Sequence, residues 1–134
     1  MPDRNNERSA DVLIVGAGIA GLSLAIALSK SDFHVVVIDG ADCPKSVNEG
    51  VALNDWDLRV SALTPTSIRF LESLGVWQRI SSERTAPYQA MCVWDADGTG
   101  RITFNAEDVA APFLGHIVEN RQTVQALIAC AEAC

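Results

Sequence analysis

The sequence predicts an α/β fold that opens with a strand–helix–strand unit, and three features indicate this. A short apolar strand over residues 11–15 runs directly into a Gly-x-Gly-x-x-Gly turn at residues 16–21. A helical pattern continues from the turn to about residue 30. A second apolar strand, over residues 34–38, ends at Asp39. Together these features are typical of a Rossmann-like turn that binds a dinucleotide.

Each glycine of the turn has a separate physical role in such a unit. Gly16 permits the tight turn, Gly18 lets a diphosphate approach the backbone, and Gly21 lets the helix pack closely on the strand. The N–H groups at the start of the helix face the phosphate oxygens. Asp39 follows the glycines by roughly 20 residues, where a carboxylate accepts hydrogen bonds from an adenosine ribose. The alternative is a plain crossover whose glycines serve only packing.

The middle of the chain combines a long irregular segment with a capped helix. Residues 40–58 show no periodicity and are rich in Asp, Asn, Gly and Pro, so they predict a long and functional excursion. A helix is then expected from its N-cap Thr64, with Pro65 in the first position, to its stop at Gly75. A short helical turn is expected over residues 76–80.

The last third of the chain predicts strands that complete a mixed sheet, followed by a helix. Strands are expected over 88–94 and 101–104, joined by a turn, and over 115–118. A final amphipathic helix begins near Asn120 and continues to Cys134 without a stop signal. A chain that ends inside a helix indicates a truncated domain.

Length and charge limit the function classes. A chain of 134 residues is one domain or part of one, and we expect a disordered tail over 1–10 before a domain over 11–134. The net charge of −7 argues against nucleic acid as a partner. The apolar run over 12–28 is interrupted by glycines, which favours strand plus helix over a membrane span. Without a signal peptide pattern, a cytoplasmic location is expected.

The four cysteines are Cys43, Cys92, Cys130 and Cys134, and none forms a Cys-x-x-Cys motif. Cys130 and Cys134 stand four apart on the last predicted helix, but no histidine is near them to complete a metal site. We therefore expect free thiols and no metal, with a zinc site as the alternative.

Several runs of the sequence resemble one enzyme family. The run Asp-Val-Leu-Ile-Val-Gly-Ala-Gly-Ile-Ala-Gly-Leu over 11–22 resembles FAD-dependent aromatic hydroxylases of the para-hydroxybenzoate hydroxylase type. Arg-Val-Ser-Ala-Leu (59–63), Leu-Gly-Val-Trp (74–77), Val-Trp-Asp (93–95) and Leu-Gly-His-Ile-Val-Glu-Asn-Arg (114–121) are similar to the ubiquinone-biosynthesis branch, which hydroxylates polyprenylated phenols. The resemblance implies the N-terminal part of an FAD-binding domain, because the family's later Asp-Gly and Gly-Asp motifs are absent from these residues.

The resemblance also implies site residues. It implies that one turn holds the FAD diphosphate, formed by Gly16, Gly18, Ile19, Ala20 and Gly21. Asp39 matches the ribose-binding acid, Arg59 an arginine near the diphosphate and flavin, and Arg121 a cofactor contact at the start of a helix. The alternative for Arg59 is a solvated loop arginine. The alternative for Arg121 is a first-turn helix residue without a ligand.

The implied activity is that of an FAD- and NAD(P)H-dependent monooxygenase acting on a polyprenylated phenol. None of these residues is an evident acid, base or nucleophile, so the catalytic residues are unknown. An apolar, membrane-derived substrate implies peripheral contact with the inner membrane. One alternative is a non-catalytic FAD- or ADP-binding module whose exposed apolar surface favours homo-oligomers. Another is an NAD-dependent dehydrogenase, which the excursion over 40–58 disfavours.

Overall fold

The structure is a computed structural model that describes residues 9–41, 56–80 and 82–133. Its helices and strands are, in chain order, β1 (Val12–Val15), α1 (Ile19–Ser29), β2 (Val35–Ile38), β3 (Val60–Leu63), α2 (Pro65–Ser73), β4 (Thr85–Tyr88), β5 (Ala90–Trp94), β6 (Arg101–Asn105), β7 (Gly115–Glu119) and α3 (Asn120–Ala131). Short 3-10 turns occupy Trp77–Arg79, Ser82–Arg84 and Ala106–Val109.

The chain divides into two compact units, here called the first and the second unit. The described part of the first unit is residues 9–41 and 124–133, and that of the second is 56–80 and 82–123. Most of the predicted tail and most of the excursion over 40–58 lie outside the described residues. The domain boundaries proposed from the sequence therefore stay predictions.

The first unit contains the βαβ motif. Runs of Val and Ile favour strands, and the Ala- and Leu-rich sequence between them favours a helix. Strand β1 pairs with β2 in parallel, with Val12 opposite Val35 and Val15 opposite Ile38. The buried apolar side chains of this unit come from β1, α1 and α3, and they include Ile14, Leu22, Ala25, Ile26, Leu127 and Ile128. The α/β fold with a βαβ start is confirmed.

The second unit is built on an antiparallel sheet of three strands in the order β3–β7–β4. In the central strand β7, Glu119 lies opposite Val60 of β3, and Val118 lies opposite Ser61 of β3 and Thr85 of β4. Strands β5 and β6 form a separate antiparallel hairpin. The central position of β7 places its C-terminal end, and the start of α3, beside the start of β3.

Helix α2 has both ends that its sequence predicts. The hydroxyl of Thr64 accepts a hydrogen bond from the Ser67 N–H at 3.3 Å, and Pro65 occupies the first helical position. Gly75 has a φ of 77°, a left-handed conformation that a side chain would strain, and its N–H donates to the Glu72 carbonyl. The helix therefore ends where the glycine predicts.

Two expectations about the later elements were wrong in detail. The expected strand over 88–94 is the end of β4 and the whole of β5, because the chain changes partner at Gln89. The Tyr88 carbonyl accepts from the Leu114 N–H, whereas the Gln89 carbonyl accepts from the Ala106 N–H. Helix α3 ends at Ala131 rather than continuing to Cys134, which lies outside the described residues.

Candidate functional site

The glycine turn of the first unit has the geometry that its three glycines require. Gly16 has a φ of 107°, which is strained for any residue with a side chain. Its N–H donates to the Ile38 carbonyl at 2.7 Å, which ties the turn to the end of β2. A Cβ at Gly21 would overlap the carbonyl oxygen of Gly16 and lie 3.3 Å from a methyl group of Ile14. The close approach of α1 to β1 therefore depends on glycine at position 21.

Gly18 differs from the other two, because protein packing does not require it to be glycine. Its backbone is extended, with φ −80° and ψ −174°, and a Cβ there would meet no atom of residues 9–41, 56–80 or 82–133 within 4 Å. Gly18 is also the N-cap of α1, and no side chain caps this helix end. The N–H groups of Ile19, Ala20 and Gly21 have no acceptor within the helix. The space beside Gly18 is therefore where an anionic group could approach these donors.

Asp39 lies directly beside this turn. Its Oδ2 accepts a hydrogen bond from the Ala17 N–H at 2.6 Å, and its Oδ1 accepts one from the Ala41 N–H at 2.8 Å. The Ala41 bond is the largest cause that holds the pKa of Asp39 below its ordinary value, and the Ala17 bond follows. The carboxylate therefore stays charged at neutral pH and acts as a hydrogen-bond acceptor at the end of β2.

A cavity of about 580 Å³ joins these features within the first unit. Its lining includes Ala17, Gly18, Val37, Asp39, Val124 and Ile128. This volume lies in the range of small-molecule and cofactor sites, which are mostly apolar with a few placed polar groups. The open face at Gly18, the donors of α1 and the acceptor Asp39 fit the diphosphate and ribose of an adenine dinucleotide.

The two predicted arginines lie in the second unit, close to each other. Arg59 immediately precedes β3, and its carbonyl accepts a hydrogen bond from the Asn120 N–H at 3.0 Å. Its side chain is exposed. Arg121 follows in the first turn of α3, half-buried, with Nη2 3.7 Å from Oε2 of Glu119. The structure therefore brings the backbones of Arg59 and Arg121 together where β3 begins and β7 ends.

Asp57 connects the segments that carry the two arginines. Its Oδ1 accepts the Arg59 N–H at 3.0 Å. The Arg59 N–H bond is the main cause that holds the pKa of Asp57 below its ordinary value, and the Arg121 N–H and both guanidinium groups contribute. The carboxylate is therefore charged at neutral pH, and it faces the backbone of both arginine-bearing segments.

Sequence reasoning missed a buried ionic cluster beside these arginines. Glu119 is only 2% exposed and accepts from Arg84 Nη1 at 3.0 Å. Arg84 is buried as well, and its guanidinium lies 4.3 Å from the centre of the Trp56 ring. The available signal was a glutamate inside an apolar strand, since such a residue needs a buried partner.

Two of the four cysteines, and a histidine of β7, lie among the described residues. Cys92 and Cys130 are free thiols, whereas Cys43 and Cys134 lie outside the described residues. In the part of the chain that the structure describes, no three His, Cys, Asp or Glu side chains group as metal ligands would. His116 packs edge-on against Trp77 and Phe113, with ring centres 5.5 and 4.6 Å away.

The sequence matches the family described as FAD dependent oxidoreductase over residues 11–129. The 3-demethoxyubiquinol 3-hydroxylase of Escherichia coli K12 is 34% identical over 123 residues, which are 92% of this chain and 30% of that protein. The mitochondrial ubiquinone biosynthesis monooxygenase COQ6 of Xenopus tropicalis is 37% identical over 121 residues, 87% of this chain and 25% of that protein.

The fold has solved counterparts as well. A mutant of PqsL from P. aeruginosa superposes with a TM-score of 0.64 at 24% identity, covering 92% of this chain and 31% of that one. The chain thus spans less than a third of the length of these three proteins. Because the family match extends over nearly the whole sequence, the chain belongs to the FAD-dependent oxidoreductase family.

Proposed function

We propose that this chain supplies the part of the cofactor site that binds the ADP half of FAD in a flavin-dependent monooxygenase. The proposed reaction is hydroxylation of a polyprenylated phenol in ubiquinone biosynthesis. The activity is proposed for a polypeptide of the relatives' length that contains this chain. The E. coli relative is a 3-demethoxyubiquinol 3-hydroxylase, and the X. tropicalis relative is a ubiquinone biosynthesis monooxygenase. These names support an aromatic small molecule as the substrate.

The observation that carries the cofactor part of the proposal is the open face at Gly18. In the part of the chain that the structure describes, no atom lies within 4 Å of where a Cβ would be, yet the chain has glycine there. A glycine that packing does not need is explained by a group that must approach the backbone. We assign this place to the FAD diphosphate, held by the N–H groups of Gly18, Ile19, Ala20 and Gly21.

The other assigned residues complete the contacts with the cofactor. The charged carboxylate of Asp39 accepts hydrogen bonds from the adenosine ribose. Arg59 and Arg121 supply cations for the anionic part of FAD, since charge-assisted hydrogen bonds are among the stronger ones. Gly16 shapes the turn that presents these donors.

The chemistry divides between cofactor and chain. When bound, FAD supplies the redox chemistry, with electrons from NAD(P)H and O2 as the source of the transferred oxygen atom. The residues of this chain bind and orient the cofactor and keep water from it. The proposal assigns them no catalytic acid or base.

A polyprenylated substrate resides in a membrane, so the proposal includes peripheral contact with the inner membrane. No helix among residues 9–41, 56–80 and 82–133 is long and apolar enough to span a bilayer.

Exposed apolar side chains, such as Val93, Trp94 and Ile102 on the β5–β6 hairpin, favour association with further polypeptide or a second copy.

The proposed activity is tested on the purified flavoprotein with a phenol that bears a polyprenyl tail and, as the matched control, the same phenol without the tail. We expect NAD(P)H oxidation coupled to a product with one added oxygen atom, detected by mass spectrometry, and a clear preference for the prenylated ring. NAD(P)H oxidation that yields no hydroxylated product from either phenol would contradict the proposal. Tighter binding of NAD than of FAD would favour a dehydrogenase instead.

A further inference from the structure

Among the described residues of the second unit, Glu119 is the most deeply buried carboxylate, and both of its oxygens are engaged. Oε1 accepts from Arg84 Nη1 at 3.0 Å. Oε2 accepts the backbone N–H of Asp57 at 2.7 Å and lies 3.7 Å from Arg121 Nη2. A carboxylate this buried is stable only when partners offset its lost hydration. These three groups therefore occupy fixed places around Glu119.

Two of these partners connect Glu119 with the arginines assigned to the cofactor. Arg121 is one of those arginines, and Asp57 is hydrogen-bonded to the other, Arg59. The Asp57 N–H belongs to the segment that carries Arg59, and Asp57 Oδ1 in turn accepts the Arg59 N–H. On the other side, the Arg59 carbonyl accepts the N–H of Asn120, the residue after Glu119. The backbone of Arg59 is thereby held between Asp57 and the start of α3.

The two ion pairs of Glu119 differ in length and in exposure. The pair with Arg84 is short and buried, and the Arg84 guanidinium is also held against the Trp56 ring. The pair with Arg121 is longer, and 30% of the Arg121 side chain is exposed. Arg84 therefore holds Glu119 in place, while an anion can approach the partly exposed guanidinium of Arg121 that Glu119 orients.

We propose that Glu119 is a positioning residue that fixes Arg59, through the Asp57 amide, and Arg121, through its guanidinium, as one cationic site. Its importance for FAD rests on the proposed function. Arg84 is the structural counter-ion of this arrangement. Removing the charge at position 119 loosens both arginines at once, although neither is altered.

Glu119→Gln tests this proposal, because it keeps the shape of the side chain and removes the charge. One carboxylate oxygen is replaced by an amide nitrogen, a donor that then faces the N–H of either Arg84 or Asp57. In the ligand-free chain we expect amide hydrogen exchange at Asp57, measured by NMR, to speed up about tenfold or more, since its N–H loses a charged acceptor. Exchange at Asn120 should also become faster, because the Arg59 carbonyl that accepts its N–H is held in place through Asp57. With FAD, measured by fluorescence titration, we expect binding about tenfold weaker.

Val118→Ala is the matched control. Val118 is fully buried on the same strand and lowers stability when truncated, but its side chain is not part of the ionic cluster. It should leave the relative protection of Asp57 and the affinity for FAD unchanged. If Glu119→Gln fails to fold, the pair Glu119→Leu and Arg84→Met removes both buried charges together and retains the apolar volume. That double variant should fold and still bind FAD about tenfold more weakly.

The outcomes separate this inference from the proposed function. Slow exchange at Asp57 in Glu119→Gln, or unchanged FAD affinity in the folded variants, would overturn the positioning role. Suppose that exchange at Asp57 is fast in Glu119→Gln, while the wild-type chain does not bind FAD. This pair of results would support the positioning of the arginines and refute the proposed function alone.

Discussion

Alanine at Gly18 and at Gly21 should have opposite effects, because the two glycines are required for different reasons. At Gly18 the backbone is in a region open to alanine, and a Cβ meets no atom of the described residues within 4 Å. The unfolded chain loses entropy, which stabilises by about 0.4–1 kcal/mol, while alanine is a poorer N-cap than glycine by a similar amount. We expect Gly18→Ala to change the free energy of unfolding by less than about 0.5 kcal/mol.

Gly21→Ala should instead destabilise the first unit. Its Cβ would overlap the Gly16 carbonyl oxygen and lie 3.2 Å from the carbonyl carbon, so α1 must move away from β1. Overpacking of this kind costs about 1–3 kcal/mol, which for a chain of this size lowers the melting temperature by roughly 4–12 °C. The clash is with backbone, which cannot be relieved by a side-chain rotation.

The affinity for FAD distinguishes the same variants in the opposite sense, because Gly18→Ala should lose affinity while it keeps its stability. Gly18→Ala places a methyl group where we assign the diphosphate, so FAD should bind about tenfold more weakly or worse. Thermal denaturation and fluorescence titration on both variants measure the two effects. A Gly18→Ala chain that binds FAD as the wild type does, or that is destabilised as much as Gly21→Ala, would refute the reasoning.

The other predictions concern one charged residue of each unit and one core residue. Because N–H bonds hold the pKa of Asp39 low, its carboxylate contributes stability that is present above about pH 4 and is lost as pH falls through the native pKa. Asp39→Asn should therefore flatten the acid side of the curve of melting temperature against pH, and an unchanged curve would contradict this. Arg59→Ala should leave the melting temperature unchanged, because the side chain is exposed, but weaken FAD binding several-fold and reduce its salt dependence. Equal salt dependence in both chains would argue against this contact. Leu127→Ala should cost about 2–5 kcal/mol in urea denaturation, since Leu127 is fully buried, and a loss below about 1 kcal/mol would show that its site collapses around the change.

The local signals of the sequence were sufficient for the βαβ unit and for α2. Gly16, Gly21, Thr64 and Gly75 each act through backbone conformation or through contact with residues close by in the sequence. Such effects depend on neighbours along the chain or on one adjacent strand. They could therefore be predicted without knowledge of the remaining fold.

Features that depend on distant pairing could not be predicted in the same way. The change of partner at Gln89 is set by residues 106 and 114, which follow much later in the chain. The Val-Ser-Ala-Leu sequence of β3 does not by itself indicate a strand, and these residues form one because β7 pairs with them. The ionic cluster joins Asp57, Arg84 and Glu119 across long separations, so only the presence of a glutamate in an apolar strand indicated that a partner existed.

The most direct test of the account is to map FAD binding on the backbone amides of the chain by NMR. We predict that FAD produces its largest chemical-shift changes at residues 17–21 and 39–41, the glycine turn and the Asp39 segment, and that NAD at the same concentration produces smaller ones. If these amides do not respond to FAD, or if NAD shifts them more strongly, the assignment of this site to FAD is contradicted.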